Sequence, residues 1–341
     1  MSAGQPGPVR ATQEGGDAQV LLLTDPAMER HAAPGHPERH ERLAAVATGV
    51  EAGAAAAGAQ VSVRSPSRAS DEAITAVHEP DYLAALDQLD ASGGGWIDPD
   101  TYLAPGSMHV ARLAAGAAIE AALEVTSGAV GVGFSVSRPP GHHASARRAA
   151  GFCLLNNVAI AAVALRRAGL AQRIAIVDWD VHHGDGTQAI FDDDPELLYA
   201  STHQRPLYPG SGSPEQRGSG AAVGTKHNMT LLPGADDEAF VAAWHELLGR
   251  VREFRPQAIL VSAGYDGHRD DPLANLAITE QGYRSVAVAL GGLTAELGLP
   301  GVALVLEGGY DLDALERSAG ATVEGLFEGL LPDHRMRTMS F

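Results

Sequence analysis

The stretch Arg173-Ile-Ala-Ile-Val-Asp178-Trp-Asp180-Val-His182-His183-Gly-Asp185 decides how this chain folds. Its first half is a short apolar run rich in β-branched residues, the composition of a strand buried on both faces. Its second half is an abrupt cluster of carboxylates and imidazoles. A strand that ends in such a cluster belongs to an open α/β sheet, where ligands bind beyond the carboxyl ends of the strands. Alternate residues leaving a strand point to the same side, so Asp178, Asp180 and His182 share a side while the backbone stays extended.

Working outward, the same pattern recurs. Apolar runs are read as strands at Gln19–Leu23, Gln60–Val63, Ala129–Val136, Arg173–Val177, Leu197–Ser201, His227–Leu232, Ala258–Ser262 and Val302–Leu306. Ala/Leu-rich stretches of helical period lie between them, at Pro37–Ala52, Asp81–Asp90, Ser107–Thr126, Asn156–Ala168, Asp236–Phe254, Thr279–Leu297 and Asp311–Gly329. Alternating strands and helices imply a mostly parallel sheet covered on both faces. Gly-rich pieces, Ser92–Gly95 and Gly210–Gly224, read as surface loops. Three further strands end in chemically capable residues: Arg138-Pro-Pro-Gly-His142-His143, Ala263-Gly-Tyr-Asp266, and Glu307-Gly-Gly-Tyr310-Asp311. Together the four endings imply one pocket on one sheet edge.

The formal net charge is −18, from 24 basic and 42 acidic residues, which argues against a direct nucleic-acid ligand. The one cysteine, Cys153, permits no intrachain disulfide and suits a reducing compartment. No apolar run reaches the roughly 18 residues that span a bilayer. Residues 1–17 are polar and Gly/Pro-rich, without the order of a signal peptide. These features predict a cytoplasmic protein away from membranes, with a disordered tail at 1–17 and a single domain at 18–341.

The chemistry of the four loops can be read from residue type. For any one aspartate, capping of the following helix is the plainer reading. Several ionisable groups packed against apolar strands, however, repel or are desolvated without a cation. Catalytic zinc commonly keeps three protein ligands and one open position. Asp180, His182 and Asp266 are the candidate ligands. Two carboxylates offset most of the zinc charge, so water there is acidified less than by three neutral histidines, and a separate base is needed. His142 and His143 supply it, oriented by Asp178 and Asp185, although a lone histidine is more often a satisfied core residue. Tyr310, after two glycines, is a candidate donor to a developing oxyanion, or else a half-buried turn tyrosine.

At these residues the chain resembles the histone deacetylase family, on the three-layer arginase/deacetylase-like α/β fold with a mostly parallel eight-stranded sheet. The matching segments are Arg138–His143, Gly151–Asn157, Asp178–Thr187, Ser262–Asp266 and Glu307–Asp311, with His36-Pro37-Glu38 and Arg42 as an N-terminal signature. The similarity spans about Leu21 to Gly329 and is nearest to the bacterial class II-like deacetylases and acetylpolyamine amidohydrolases. It implies one catalytic Zn2+ on Asp180, His182 and Asp266. It implies acid–base work by His142 and His143 with Asp178 and Asp185, and transition-state stabilisation by Tyr310. Gly151, Phe152, Tyr208 and Leu273 match residues of an acyl-lysine tunnel, and Asp100 or Asp98 a rim carboxylate. The resemblance also implies a K+ site at Asp178, Asp180, His182, Ser201 and Thr202. A second monovalent site is implied near Phe191, Asp194 and Leu197, where Thr225 departs from the usual aromatic residue. The expected reaction is hydrolysis of acetyl-lysine, or of an acetylated polyamine, to acetate and free amine. A binuclear manganese ureohydrolase is a rival on the same fold, but its Asp-x-His-x-Asp order differs from Asp-x-Asp-x-His here. A non-catalytic binder would tolerate loss of Tyr310 or the tandem histidines, and this chain keeps all three.

Overall fold

The computed structural model describes residues 18–331; the expected tail at 1–17 and the last stretch of the expected domain, 332–341, lie outside the described residues. In chain order the elements are β1 (Gln19–Leu23), α1 (Glu41–Ala56), β2 (Gln60–Arg64), α2 (Asp71–Ile74), α3 (Pro80–Ala91), β3 (Gly95–Trp96), β4 (Tyr102–Leu103), α4 (Ser107–Thr126), β5 (Val132–Ser135), α5 (Asn157–Arg167), β6 (Ile174–Asp178), α6 (Asp185–Ile190), β7 (Leu197–Gln204), β8 (Lys226–Leu231), α7 (Asp237–Phe254), β9 (Ala258–Ala263), α8 (Glu280–Glu296), β10 (Val302–Leu306) and α9 (Leu312–Leu330).

Eight strands form one sheet in the order β2-β1-β5-β10-β9-β6-β7-β8. Every pairing in it is parallel. The four strands that feed the polar loops, β5, β10, β9 and β6, are therefore consecutive neighbours at the centre. That adjacency is why their loops meet.

The four central strands, β5, β10, β9 and β6, are buried at every residue because both faces are covered. One face of alternate residues, including Phe134, Val177, Val261 and Leu304, packs with α1, α7, α8 and α9. The other, including Ile176, Leu260 and Val305, packs with α4 and α5. Each fully buried aliphatic side chain contributes roughly 1.5–3 kcal/mol relative to exposure. A smaller apolar cluster beneath α2, α3 and the β3–β4 hairpin supports one wall of the site.

All eight predicted strands and seven predicted helices are present; Gln19–Leu23, Ser107–Thr126 and Val302–Leu306 keep the expected bounds and the rest have shifted ends. The first helix begins at Glu41 rather than Pro37, because Glu38 is drawn into a buried ion-pair network described below. The Gly-rich run at 92–95, read as a loop, leads into the β3–β4 hairpin. The short α6 was not anticipated. No described helix is long and apolar enough to cross a membrane.

Candidate active site

Asp180 and His182 leave the end of β6, and Asp266 leaves the end of β9. One ligand atom from each of the three lies within 4.8 Å of the others. His182 Nδ1 is 3.0 Å from Asp180 Oδ1 and 3.0 Å from Asp266 Oδ2. Burial opposes charge on His182, but the Asp266 and Asp180 carboxylates raise its pKa to about 10. The trio therefore demands a positive charge, and without another cation the imidazole takes up a proton. Backbone amides fix the remaining oxygens: Val181 N donates to Asp266 Oδ1 at 2.9 Å and Gly308 N to Asp180 Oδ2 at 2.8 Å. A Cβ at residue 308 would sit 2.2 Å from Asp266 Oδ2, so only glycine admits this approach.

Beside the trio the loop after β5 brings in the two histidines, whose ring centroids are 4.1 Å apart. His142 Nδ1 lies 3.0 Å from Asp178 Oδ2, which also accepts from Tyr199 OH at 2.9 Å. His143 Nδ1 lies 2.7 Å from Asp185 Oδ1, at the start of α6. The two imidazoles are driven apart in proton affinity. Burial lowers both, but Asp178 and Asp180 lift His142 well above the ordinary value. Burial and the neighbouring His142 charge push His143 down to about 3. His142 is thus the more basic of the two imidazoles and His143 the less, the inequality an acid–base pair needs.

The loop carrying these histidines is tied to β10 by Glu307. Its Oε2 accepts from Gly141 N at 2.6 Å and His142 N at 3.1 Å, and its Oε1 from Ser262 Oγ at 3.0 Å. Burial raises its pKa to about 7. The following loop is held from behind by Arg42, which donates to the carbonyls of Gly309 (2.6 Å) and Glu307. Glu38 bridges Arg42 (2.9 Å) and Arg138 (2.6 Å). Burial pushes the Glu38 carboxyl up, yet the two guanidinium groups, Arg138 foremost, hold it down at about 2. The Arg42 guanidinium also lies 5.1 Å above the Tyr310 ring.

A cavity of about 250 Å³ opens above the trio, lined by Asp100, Pro140, His142, His143, Gly151, Phe152, Asp180, His182, Leu207, Tyr208, Leu273, Gly308 and Tyr310. All five expected lining residues are present. Asp100 faces the cavity, whereas Asp98 closes a turn by accepting from Asp100 N and Thr101 N. Phe152 has a φ of 70°, a left-handed conformation rare for an aromatic residue, and its ring meets that of Tyr310 edge-on at 5.8 Å. Asp185 and Asp178 stand behind the histidines, outside the cavity wall.

Ser201 sits opposite Asp178 in the β6–β7 register, and its Oγ is 3.0 Å from His203 Nδ1. Thr202 Oγ1 accepts from Trp244 Nε1 at 3.0 Å. The carbonyls of Asp194 and Leu197 accept from Lys226 Nζ, while the carbonyl of Phe191 accepts from Asp194 N.

Sequence reading missed Pro140 and Leu207 in the wall, Tyr199 behind Asp178, and Asp271. The Asp271 carboxylate joins two walls: it accepts from Leu273 N at 3.0 Å and Tyr310 N at 2.6 Å. Pro140 lies inside the Arg138–His143 segment, whereas Leu207, Tyr199 and Asp271 lie in no motif that betrays a role. Only the run Asp270-Asp271-Pro272 hinted at a turn-forming carboxylate.

Comparison with known proteins agrees with this geometry. The pattern of the histone deacetylase domain matches residues 36–326. A probable deacetylase of Archaeoglobus fulgidus is 42% identical over 298 residues, covering 86% of this chain and 81% of that protein. A histone deacetylase-like amidohydrolase of Pseudomonas aeruginosa is 37% identical over 254 residues, covering 74% and 67%. The crystal structure of the HDA15 HD domain superposes with a TM-score of 0.84 at 34% identity, covering 91% of this chain and 88% of that one. The matched span contains the convergent trio, both His–Asp pairs and the tyrosine wall, and the chain belongs to the histone deacetylase family.

Proposed function

We propose that the chain is a zinc-dependent deacetylase that hydrolyses the amide of acetyl-lysine, or of a related linear acylated amine, to acetate and free amine. The observation that carries this reading is the meeting of Asp180, His182 and Asp266 within 4.8 Å at the foot of the cavity, beside two His–Asp pairs. Two carboxylate oxygens and one imidazole nitrogen, facing an open side, fit a catalytic zinc. Bound there, zinc would supply Lewis acidity, polarising the acyl carbonyl and easing deprotonation of water.

The protein's own groups do the rest. His143, kept neutral, accepts the proton of the attacking water as its oxygen bonds to the acyl carbon. His142, the more basic of the pair beside Asp178, supports the negative charge that develops. The Tyr310 hydroxyl donates to the oxyanion. The amide C–N bond then breaks, and His143 returns its proton to the leaving amine. Gly151, Phe152, Tyr208 and Leu273 enclose the acyl chain, and Asp100 at the rim accepts from a substrate N–H. Asp178, Asp180, His182, Ser201 and Thr202 would hold a structural K+ behind the site. Residues 18–341 act as one catalytic domain in the cytoplasm, on acylated amines rather than nucleic acid or membrane.

Acetylpolyamine hydrolysis is the runner-up, since the cavity suits any linear acylated amine. Acetate release from an acetyl-lysine peptide, acetylspermidine and longer acyl-lysines, measured side by side, separates the two. Tyr310→Phe should lower turnover about 10²-fold with zinc retained. A zinc-loaded wild-type protein that cleaves none of these amides would refute the proposal.

A further inference from the structure

We propose that Lys226 serves as a tethered monovalent cation, its ammonium filling an oxygen cage that takes potassium or ammonium ion once the side chain is cut back. Lys226 opens β8 and is fully buried. Its Nζ donates to Thr225 Oγ1 at 2.7 Å, to the Leu197 carbonyl at 2.8 Å and to the Asp194 carbonyl at 3.2 Å. A buried lysine normally pairs with a carboxylate. This one has three uncharged oxygens, matched one for one with its three donors. The Asp194 carboxylate is engaged elsewhere, with Arg166 and with Glu196 N at 2.9 Å.

Carbonyl and hydroxyl oxygens that replace a hydration shell are the coordination chemistry of a large monovalent ion, and an ammonium group has the size of potassium. The Asp194 carbonyl also receives a 3.4 Å bond from Leu197 N, longer than the 3.2 Å bond from the ammonium, so the cation is its nearer donor. Burial lowers the Lys226 pKa to about 8, offset in part by Asp194, which leaves the group charged at neutral pH. The pinned segment follows α6, whose first residue, Asp185, holds His143. The lysine thus braces the scaffold of the acid–base pair without touching it.

The test reads stability and ion binding rather than activity. In choline chloride, Lys226→Ala should lower the apparent Tm by roughly 5 °C. Potassium or ammonium chloride should restore most of that loss, beyond any rise seen in the wild type under the same salts, and sodium chloride should restore less. Lys226→Met, whose apolar chain fills the space, should lose the same stability without rescue. Crystals soaked in thallium(I) should show an ion among Asp194 O, Leu197 O and Thr225 Oγ1 in Lys226→Ala and none there in the wild type. A Lys226→Ala protein as stable as the wild type, or a loss that no salt repairs with no thallium at the cage, overturns the proposal. If Lys226→Ala does not fold, the wild-type soak decides: thallium at the cage overturns it and an ion-free cage supports it.

Discussion

Replacing Glu307 by Ala and, separately, by Gln tests what holds the tandem histidines in place. Three donors converge on this buried carboxylate: Gly141 N, His142 N and Ser262 Oγ. Alanine leaves all three unpaired, at about 1–3 kcal/mol each. Against this stands the cost of burying the charge. Its pKa rises from 4.5 to about 7, which at 1.36 kcal/mol per unit is about 3 kcal/mol returned when the carboxyl is removed. The net expectation for Glu307→Ala is a loss of about 3 kcal/mol, more if the vacated space stays empty. Glutamine behaves differently. Its carbonyl can accept from both amides, its NH2 can donate to Ser262 Oγ, and no charge is buried. Glu307→Gln should therefore match or exceed wild-type stability, within about 1 kcal/mol of neutral or better. Urea unfolding of both variants at pH 7 reads these differences. Acetate release should fall about 10²-fold in Glu307→Ala as His142 shifts, and little in Glu307→Gln. Equal destabilisation by the two replacements would refute the reasoning, because charge rather than acceptor geometry would then be what matters.

Asp180→Ala or Asp266→Ala should abolish stoichiometric zinc on metal analysis while the chain stays folded, and full occupancy in either would contradict the ligand assignment. Gly151→Ala should cut turnover about 10²-fold; its Cβ would lie 2.3 Å from His143 Cδ2 at a φ of +54°, and normal turnover would show that the wall yields. Asp271→Asn should change the pH dependence of stability. Burial, with the Asp266 charge, raises the Asp271 pKa from 3.8 to about 7. A raised acid takes up a proton on folding, so its favourable share is present below about pH 4 and lost as pH rises through about 7. Relative to Asp271→Asn, the wild type should lose up to about 4 kcal/mol over that window. Parallel stability–pH curves from urea titrations would count against a buried, titrating Asp271.

The strands and helices were legible because each carries its own periodicity. Ile174–Val177 and Val302–Leu306 are apolar at every position, which only two covered faces explain. The candidate ligands were legible for a similar reason: ionisable residues placed where an apolar strand stops have few other uses. Ends were less so, since Glu38 left the predicted first helix for arginines at positions 42 and 138. Asp271, Tyr199 and Lys226 were not legible at all. Each is a single polar residue whose partners lie on other elements, such as Tyr310 for Asp271, 39 positions away.

By itself the sequence determined the alternation of elements, the chemical content of the four loops and the family to which they belong, because these rest on local pattern and residue type. Tertiary structure alone decided that β5, β10, β9 and β6 stand side by side, and hence that the four loops share one cavity. It also decided that His142 holds a proton more tightly than His143, and that a lysine ammonium meets three oxygens. Strand order, proton affinity and desolvation are set by contacts between residues far apart in the chain, and no local pattern encodes them.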